Sequence, residues 1–384
     1  MPDLSITHDL EYLAVFSLVL ILPKVLMRFK IPSGITALLI GVILTAFDPT
    51  LKSDTLFRFL SQIGITSLFL FAGLEVEFEE LKQDKIYLTK FLTKSLLILI
   101  TIAFGISKYF SLPFQESFIY SLGIFTPSAG FILNSLKSFE MGGDQEYWIK
   151  SKAISKELIA IVLLFFALQS GDIKSLLVSS AFFIFLFLIL PVVFRLFFKF
   201  VSPYAPNSEV PFLVVLSLIA GVLSKEMGAY YLVGAFVVGL VGGRFKREIF
   251  KEGEENMLHS LSSFFKTFLP FYFFYAGLGI YFNEITLEAL KIGSIMLVIF
   301  IPLRLLVIGS SMKFFMDKVK KDPYKISLSL MPTLIFGLVI AGILKERGGL
   351  PPVMIYALLI YTLLNSIIPS LVLTAAKPQK STDS

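Results

Sequence analysis

Apolar runs about 20 residues long recur along this chain, and one of them, ISKELIAIVLLFFAL at 154–168, opens with a lysine and a glutamate side by side. A helix needs about 20 residues to cross a hydrocarbon core about 30 Å thick. Inside lipid every backbone polar group must be satisfied internally, which leaves only helices and closed barrels. These runs are too long and too uniformly apolar for barrel strands, which alternate over about ten residues. The expected fold class is therefore an all-α polytopic membrane protein. Composition agrees. Of 384 residues 56% are hydrophobic and 16% charged, and the mean hydropathy is +0.82; soluble domains carry about a quarter charged residues. The chain has no cysteine, which excludes disulfides, thiolate metal sites and cysteine nucleophiles.

Turn and breaker residues divide the sequence into thirteen segments, approximately 8–29, 33–47, 54–75, 86–109, 114–136, 146–170, 173–200, 209–225, 228–243, 258–282, 286–315, 324–346 and 351–375. With the N-terminus outside, 23 of the 34 basic residues fall in inside loops or ends, Lys152 among them, and 8 fall outside. This is the asymmetry of the positive-inside rule. It predicts a multi-pass protein of the cell (inner) membrane with a cytoplasmic C-terminus. It also assigns the net charge of +6 to cytoplasmic loops and not to nucleic-acid binding. Three basic residues remain within segments: Lys156, Lys266 and Arg304. Lys266 is near enough to an interface to snorkel. The first run follows the acidic start MPDLSITHDLEY and reads as the first span, not as a removable signal peptide.

An internal repeat is legible. FAGLEVEF at 71–78 matches YAGLGIYF at 275–282, an offset of 204, and Pro127 in FTPSAGFIL aligns with Pro332 in LMPTLIFGL at an offset of 205. GITALLIGVIL at 34–44 resembles LVGAFVVGLVG at 232–242, an offset of 198. The copies start at segments that run in opposite directions through the membrane. The expected organisation is a first inverted repeat at 1–171 (helices 1–6), a linker helix 7 within 172–205, a second inverted repeat at 206–376 (helices 8–13) and a short cytoplasmic tail at 377–384. Inverted repeats with discontinuous helices near the midplane are typical of secondary transporters.

Two segments carry matched proline breaks. Pro127 stands with Thr126, Ser128 and Gly130, and Pro332 with Thr333 and Gly337. Each proline removes a backbone donor and clashes with the preceding turn. Glu157 lies some eleven residues into segment 6, about 16 Å along the helix. Adjacent helical residues do not face each other, so Lys156 and Glu157 each need a partner from another helix, and Arg304, midway along segment 11, is the candidate charge partner. Intramembrane ionisable residues mark ion pathways and proton relays.

With LFLFAGLEVEF, TPSAG, the Lys156-Glu157 doublet, YYLVGAFVVGLVGG, FYFFYAGLGIYF and Arg304 in view, the chain resembles the monovalent cation:proton antiporter superfamily, in its second branch of bacterial Na+/H+ and K+/H+ exchangers. The resemblance covers nearly the whole chain. It implies thirteen helices with two crossing broken ones. It also implies a mobile core of segments 4–6 and 11–13 and a rigid dimerisation side of segments 1–3 and 8–10, hence a homodimer. Where the family carries Asp-Asp, Asn-Asp or Gln-Asp, this chain carries Lys-Glu: Glu157 takes the place of the ion-binding aspartate and Lys156 the variable position.

The function expected is a monovalent cation (Na+ or K+)/proton antiporter, electroneutral, with alternating access. A proton and a desolvated cation would compete for Glu157, aided by oxygens at Thr126, Ser128 and Thr333 and by Lys156 beside it. Two other readings stay open. One is a proton-coupled transporter of an anionic or organic solute. The other is a non-transporting scaffold or sensor locked by a Lys-Glu-Arg network. No enzyme constellation, cofactor motif, GxGxxG fingerprint or nucleotide-binding domain is visible in the chain, and no metal is expected beyond the transported cation.

Overall fold

In the computed structural model, the described residues are 3–29, 31–76, 85–136, 141, 143–169, 171, 173–205, 208–245, 254–315 and 323–375. Among them there is no strand. The helices are α1 (Asp3–Leu26), α2 (Ser33–Phe47), α3 (Thr55–Leu74), α4 (Lys85–Phe110), α5 (Phe114–Phe125), α6 (Ala129–Leu136), α7 (Gly143–Gln169), α8 (Ile173–Phe200), α9 (Glu209–Glu226), α10 (Tyr231–Gly242), α11 (Glu254–Leu278), α12 (Leu287–Phe315), α13 (Pro323–Ser329), α14 (Leu334–Arg347) and α15 (Pro352–Ala375). Each predicted segment corresponds to one helix, except that 114–136 is divided into α5 and α6 and 324–346 into α13 and α14. Among the described residues six helices are long and apolar enough to cross a bilayer singly, and α13 with α14, bent by 41°, passes that test as a pair. The tail at 377–384 lies outside the described residues, as does the side chain of Lys266.

Several boundaries differ from expectation by a few residues: α1 starts at Asp3 and not at 8, α7 at Gly143 and not at 146, and α11 stops at Leu278 and not at 282. The Gly279 and Ile280 N–H groups turn back to the carbonyls of Ala276 and Gly277, three residues behind, at 3.1 and 2.9 Å. This tightening of the last turn ends the α-helix. A short 3-10 turn, Phe282–Glu284, follows.

The chain forms two compact units. The first comprises Met1–Val25, Ser33–Gln83 and Ile161–Phe282. Its helices approach through glycines. A Cβ at Gly41 would stand 2.1 Å from the Phe274 carbonyl oxygen, and one at Gly277 would stand 2.1 Å from that of Leu38. Hence α2 and α11 pack backbone to backbone. Gly73 and Gly239 do the same for α3 and α10, at 2.5 Å from the Phe236 oxygen and 2.2 Å from that of Leu70. Lipid tails are as apolar as leucine, so such helices associate through close van der Waals packing, which small residues permit. Around α8 the core is aromatic, with the Phe197 and Phe212 rings stacked at 3.8 Å.

The second unit comprises Leu26–Pro32, Asp84–Ala160 and Asn283–Ser384. It holds α4 to α6, the longer part of α7, and α12 to α15. Within it α14 packs against α5 and α15, and α12 runs along α15. Every residue singled out from the sequence as a site candidate lies in this unit.

Candidate ion site

The sequence around Pro127 breaks its segment at a defined place. A residue before proline is pushed out of the helical region, and Thr126 accordingly sits at φ −84°, ψ 121°, ending α5 at Phe125. The chain re-enters a helix at Ala129. The second break spans 330–333, with Thr333 leading into α14. Gly130 and Gly337 lie inside the helices that follow. At Gly337 a Cβ would meet the Thr362 hydroxyl at 2.3 Å, so this glycine lets α15 close on α14.

The two breaks are bonded to each other. The Ser128 N–H donates to the Pro332 carbonyl at 2.8 Å, and the Ser128 hydroxyl accepts from the Phe336 N–H at 3.0 Å. Unwinding frees carbonyls that would be costly to leave unpaired in a buried place. At the second break each is answered. Leu330 accepts from Arg304 Nη2 at 3.0 Å, Met331 from Asn365 Nδ2 at 2.6 Å, and Pro332 from Ser128. At the first break the Ile124 carbonyl accepts from Arg304 Nη1 and from the Tyr361 hydroxyl, both at 3.2 Å. Arg304 is fully buried; its planar fork joins one carbonyl of each broken helix and also reaches Tyr361 at 3.3 Å.

Glu157 is 3% exposed, and its Oε2 accepts the Ala129 N–H at 2.9 Å. The carboxylate therefore caps the start of α6, where unpaired N–H groups favour negative charge. Lys156 is buried too, its Nζ 3.9 Å from the centroid of the Phe125 ring. The Arg304 guanidinium stands 5.7 Å from the same centroid. Arg304 and Glu157 are not joined by a hydrogen bond or ion pair among the described residues; the arginine is spent on carbonyls. Thr126 is buried, its N–H bonded to the Leu122 carbonyl at 3.0 Å. Thr333 Oγ1 lies 3.5 Å from Thr362 Oγ1 and 3.4 Å from Asn365 Nδ2, facing α15.

Two parts of this arrangement were not anticipated. Lys152, counted with the inside loop charges, is fully buried, with Nζ 4.7 Å from the Phe91 ring centroid. The reason is the helix start: α7 begins at Gly143, which carries Lys152 about two and a half turns in. The other is the polar face of α15, where Tyr361, Thr362, Asn365 and Ser366 are all fully buried. Their spacing in YTLLNS, one helical face in an apolar run, was the available signal.

A helical membrane protein in which two broken helices meet beside a buried carboxylate is built as a secondary transporter. The transmembrane sodium/hydrogen exchanger family matches residues 14–376, and the chain belongs to that family; it is a cation/proton antiporter and not an enzyme. It is similar to the probable Na(+)/H(+) antiporter 3 of Methanocaldococcus jannaschii, 25% identical over 360 residues that cover 88% of each chain. Its fold is that of the solved sodium proton antiporter MjNhaP1 from the same organism, with a TM-score of 0.69 at 14% identity and 96% of each chain covered.

Proposed function

We propose that this antiporter exchanges Na+ or K+ for H+ at Glu157, one cation for one proton, as a homodimer in the cell membrane with its N-terminus outside. The observation that carries the site assignment is the position of Glu157. Among the described residues it is the buried carboxylate of the second unit, and its Oε2 rests on the first peptide of the re-started helix α6. A proton and a dehydrated cation are alternative occupants of such an oxygen. Of the helping oxygens foreseen from sequence, the Ser128 hydroxyl accepts from Phe336 and that of Thr333 faces Thr362 and Asn365. Thr126, at the open end of α5, remains beside the break. Arg304 acts as a positioning residue that fixes both breaks. Alternating access carries the loaded carboxylate from one side to the other.

The inverted-repeat organisation receives support from the glycine contacts. The offsets of the repeat map Gly41 onto Gly239 and Gly73 onto Gly277. The observed contacts pair Gly41 with the Gly277 region and Gly73 with the Gly239 region. The mapping thus exchanges the two contacts, as a pseudo-twofold relation requires.

The test is exchange in proteoliposomes, with internal pH followed after Na+ or K+ is added at imposed membrane voltages. One-for-one exchange predicts cation-driven alkalinisation whose rate does not follow the voltage. A voltage-driven pH change would contradict the stoichiometry, and silence to both cations would contradict the substrate assignment.

A further inference from the structure

Among its described residues the second unit buries three basic side chains, Lys152, Lys156 and Arg304, and one carboxylate, Glu157. Each buried ion carries a desolvation penalty of several kcal/mol unless it is compensated. Two of the donors are uncompensated in a specific way. Lys156 Nζ and Arg304 Nε are buried and have no hydrogen-bond partner among the described residues. Both heads lie against one ring, that of Phe125, at 3.9 and 5.7 Å from its centroid. The ring attracts each cation weakly but cannot accept a full hydrogen bond or neutralise their mutual repulsion. Glu157 is not their acceptor either: the hydrogen bond it makes is with the Ala129 N–H. Two buried N–H donors of like charge, turned to one apolar ring and lacking an acceptor, call for a small anion.

We propose that Lys156 Nζ and Arg304 Nε hold a small monovalent inorganic anion, such as chloride, beside Phe125. The anion is a bound counter-ion of the exchange site and is not carried. It accepts from the ammonium and from the guanidinium edge that the carbonyls leave free. It also gives the lysine of the Lys-Glu doublet a role compatible with cation binding next door, since it offsets the charge that would repel Na+ or K+. The proposal rests on Glu157 being the exchange site only for its effect on transport; anion binding itself is independent of that reading.

The experiment has a binding arm and a transport arm. Crystals of the wild-type protein grown in bromide are expected to show an anomalous peak bonded to Lys156 Nζ and Arg304 Nε. Lys156→Arg keeps the peak and Lys156→Gln loses it. In proteoliposomes, replacing chloride by gluconate on both sides is expected to slow cation/proton exchange about tenfold, equivalent to ~1.4 kcal/mol, and radioactive chloride is expected not to move with Na+. A wild-type protein with no bromide at this position overturns the proposal even if every variant fails to fold. An exchange rate indifferent to the anion while bromide is bound overturns its role as the counter-ion of exchange, as does chloride flux coupled to Na+.

Discussion

At the scale of single residues, buried polar groups hold the two breaks in place. Asn365 gives the Met331 carbonyl its donor at 2.6 Å in a fully buried place. Asn365→Leu removes that donor and leaves the carbonyl bare, an expected loss of about 1–3 kcal/mol, visible as a lower unfolding temperature in detergent. Outside the spans, Glu284 accepts from the Tyr356 hydroxyl and from Lys345, the latter at 3.2 Å. The tyrosine hydroxyl first, and then the lysine, hold its carboxyl below the ordinary glutamate range. A lowered folded-state pKa adds stability above the unfolded pKa, and that stability is lost as pH falls through the folded value. Glu284→Gln should therefore be less stable than wild type at neutral pH, by roughly 0.2–1 kcal/mol for an exposed pair. The two melting curves should converge as acid protonates Glu284; a gap that persists unchanged in acid would contradict the assignment. The sequence announced Glu157, Lys156 and Arg304, because charge in an apolar run is conspicuous. It did not say which groups Arg304 would bond, because two of them are backbone carbonyls freed only once both breaks exist.

At the scale of elements, the breaks were legible and their wiring was not. Pro127 and Pro332 stand out as prolines in apolar segments, and the residues before and after them end their helices where steric rules require. That the Ser128 N–H closes on Pro332, while α15 supplies Tyr361, Asn365 and Ser366, depends on which helices pack together, information that one segment does not contain. The α2–α11 and α3–α10 contacts make a sharper prediction. Gly277→Val should drive side-chain atoms into the Leu38 carbonyl, which a Cβ alone would meet at 2.1 Å, with an expected destabilisation of at least about 1–3 kcal/mol. Gly105, in α4, has nothing within 4 Å of its Cβ position. Gly105→Ala should be neutral or stabilising by up to about 1 kcal/mol. Comparison of the two melting temperatures checks whether close approach, and not glycine content, holds these helices.

At the scale of the whole molecule, hydropathy specifies a polytopic helical protein, and the charge asymmetry underlies the proposed direction through the membrane. The chain has no cysteine, so single cysteines report topology cleanly. A membrane-impermeant thiol reagent should label Tyr109→Cys, 83% exposed, in intact cells. It should label Tyr204→Cys, 86% exposed, only after the membrane is opened. The reverse pattern would invert the proposed orientation. Glu157 of the Lys156-Glu157 doublet is the proposed exchange site. The most direct measurement compares internal pH in proteoliposomes of wild type and Glu157→Gln after a pulse of Na+ or K+. Exchange at Glu157 predicts cation-driven proton efflux in the wild type and, in the variant, a rate no higher than that of protein-free vesicles. Equal exchange by the two proteins would contradict it.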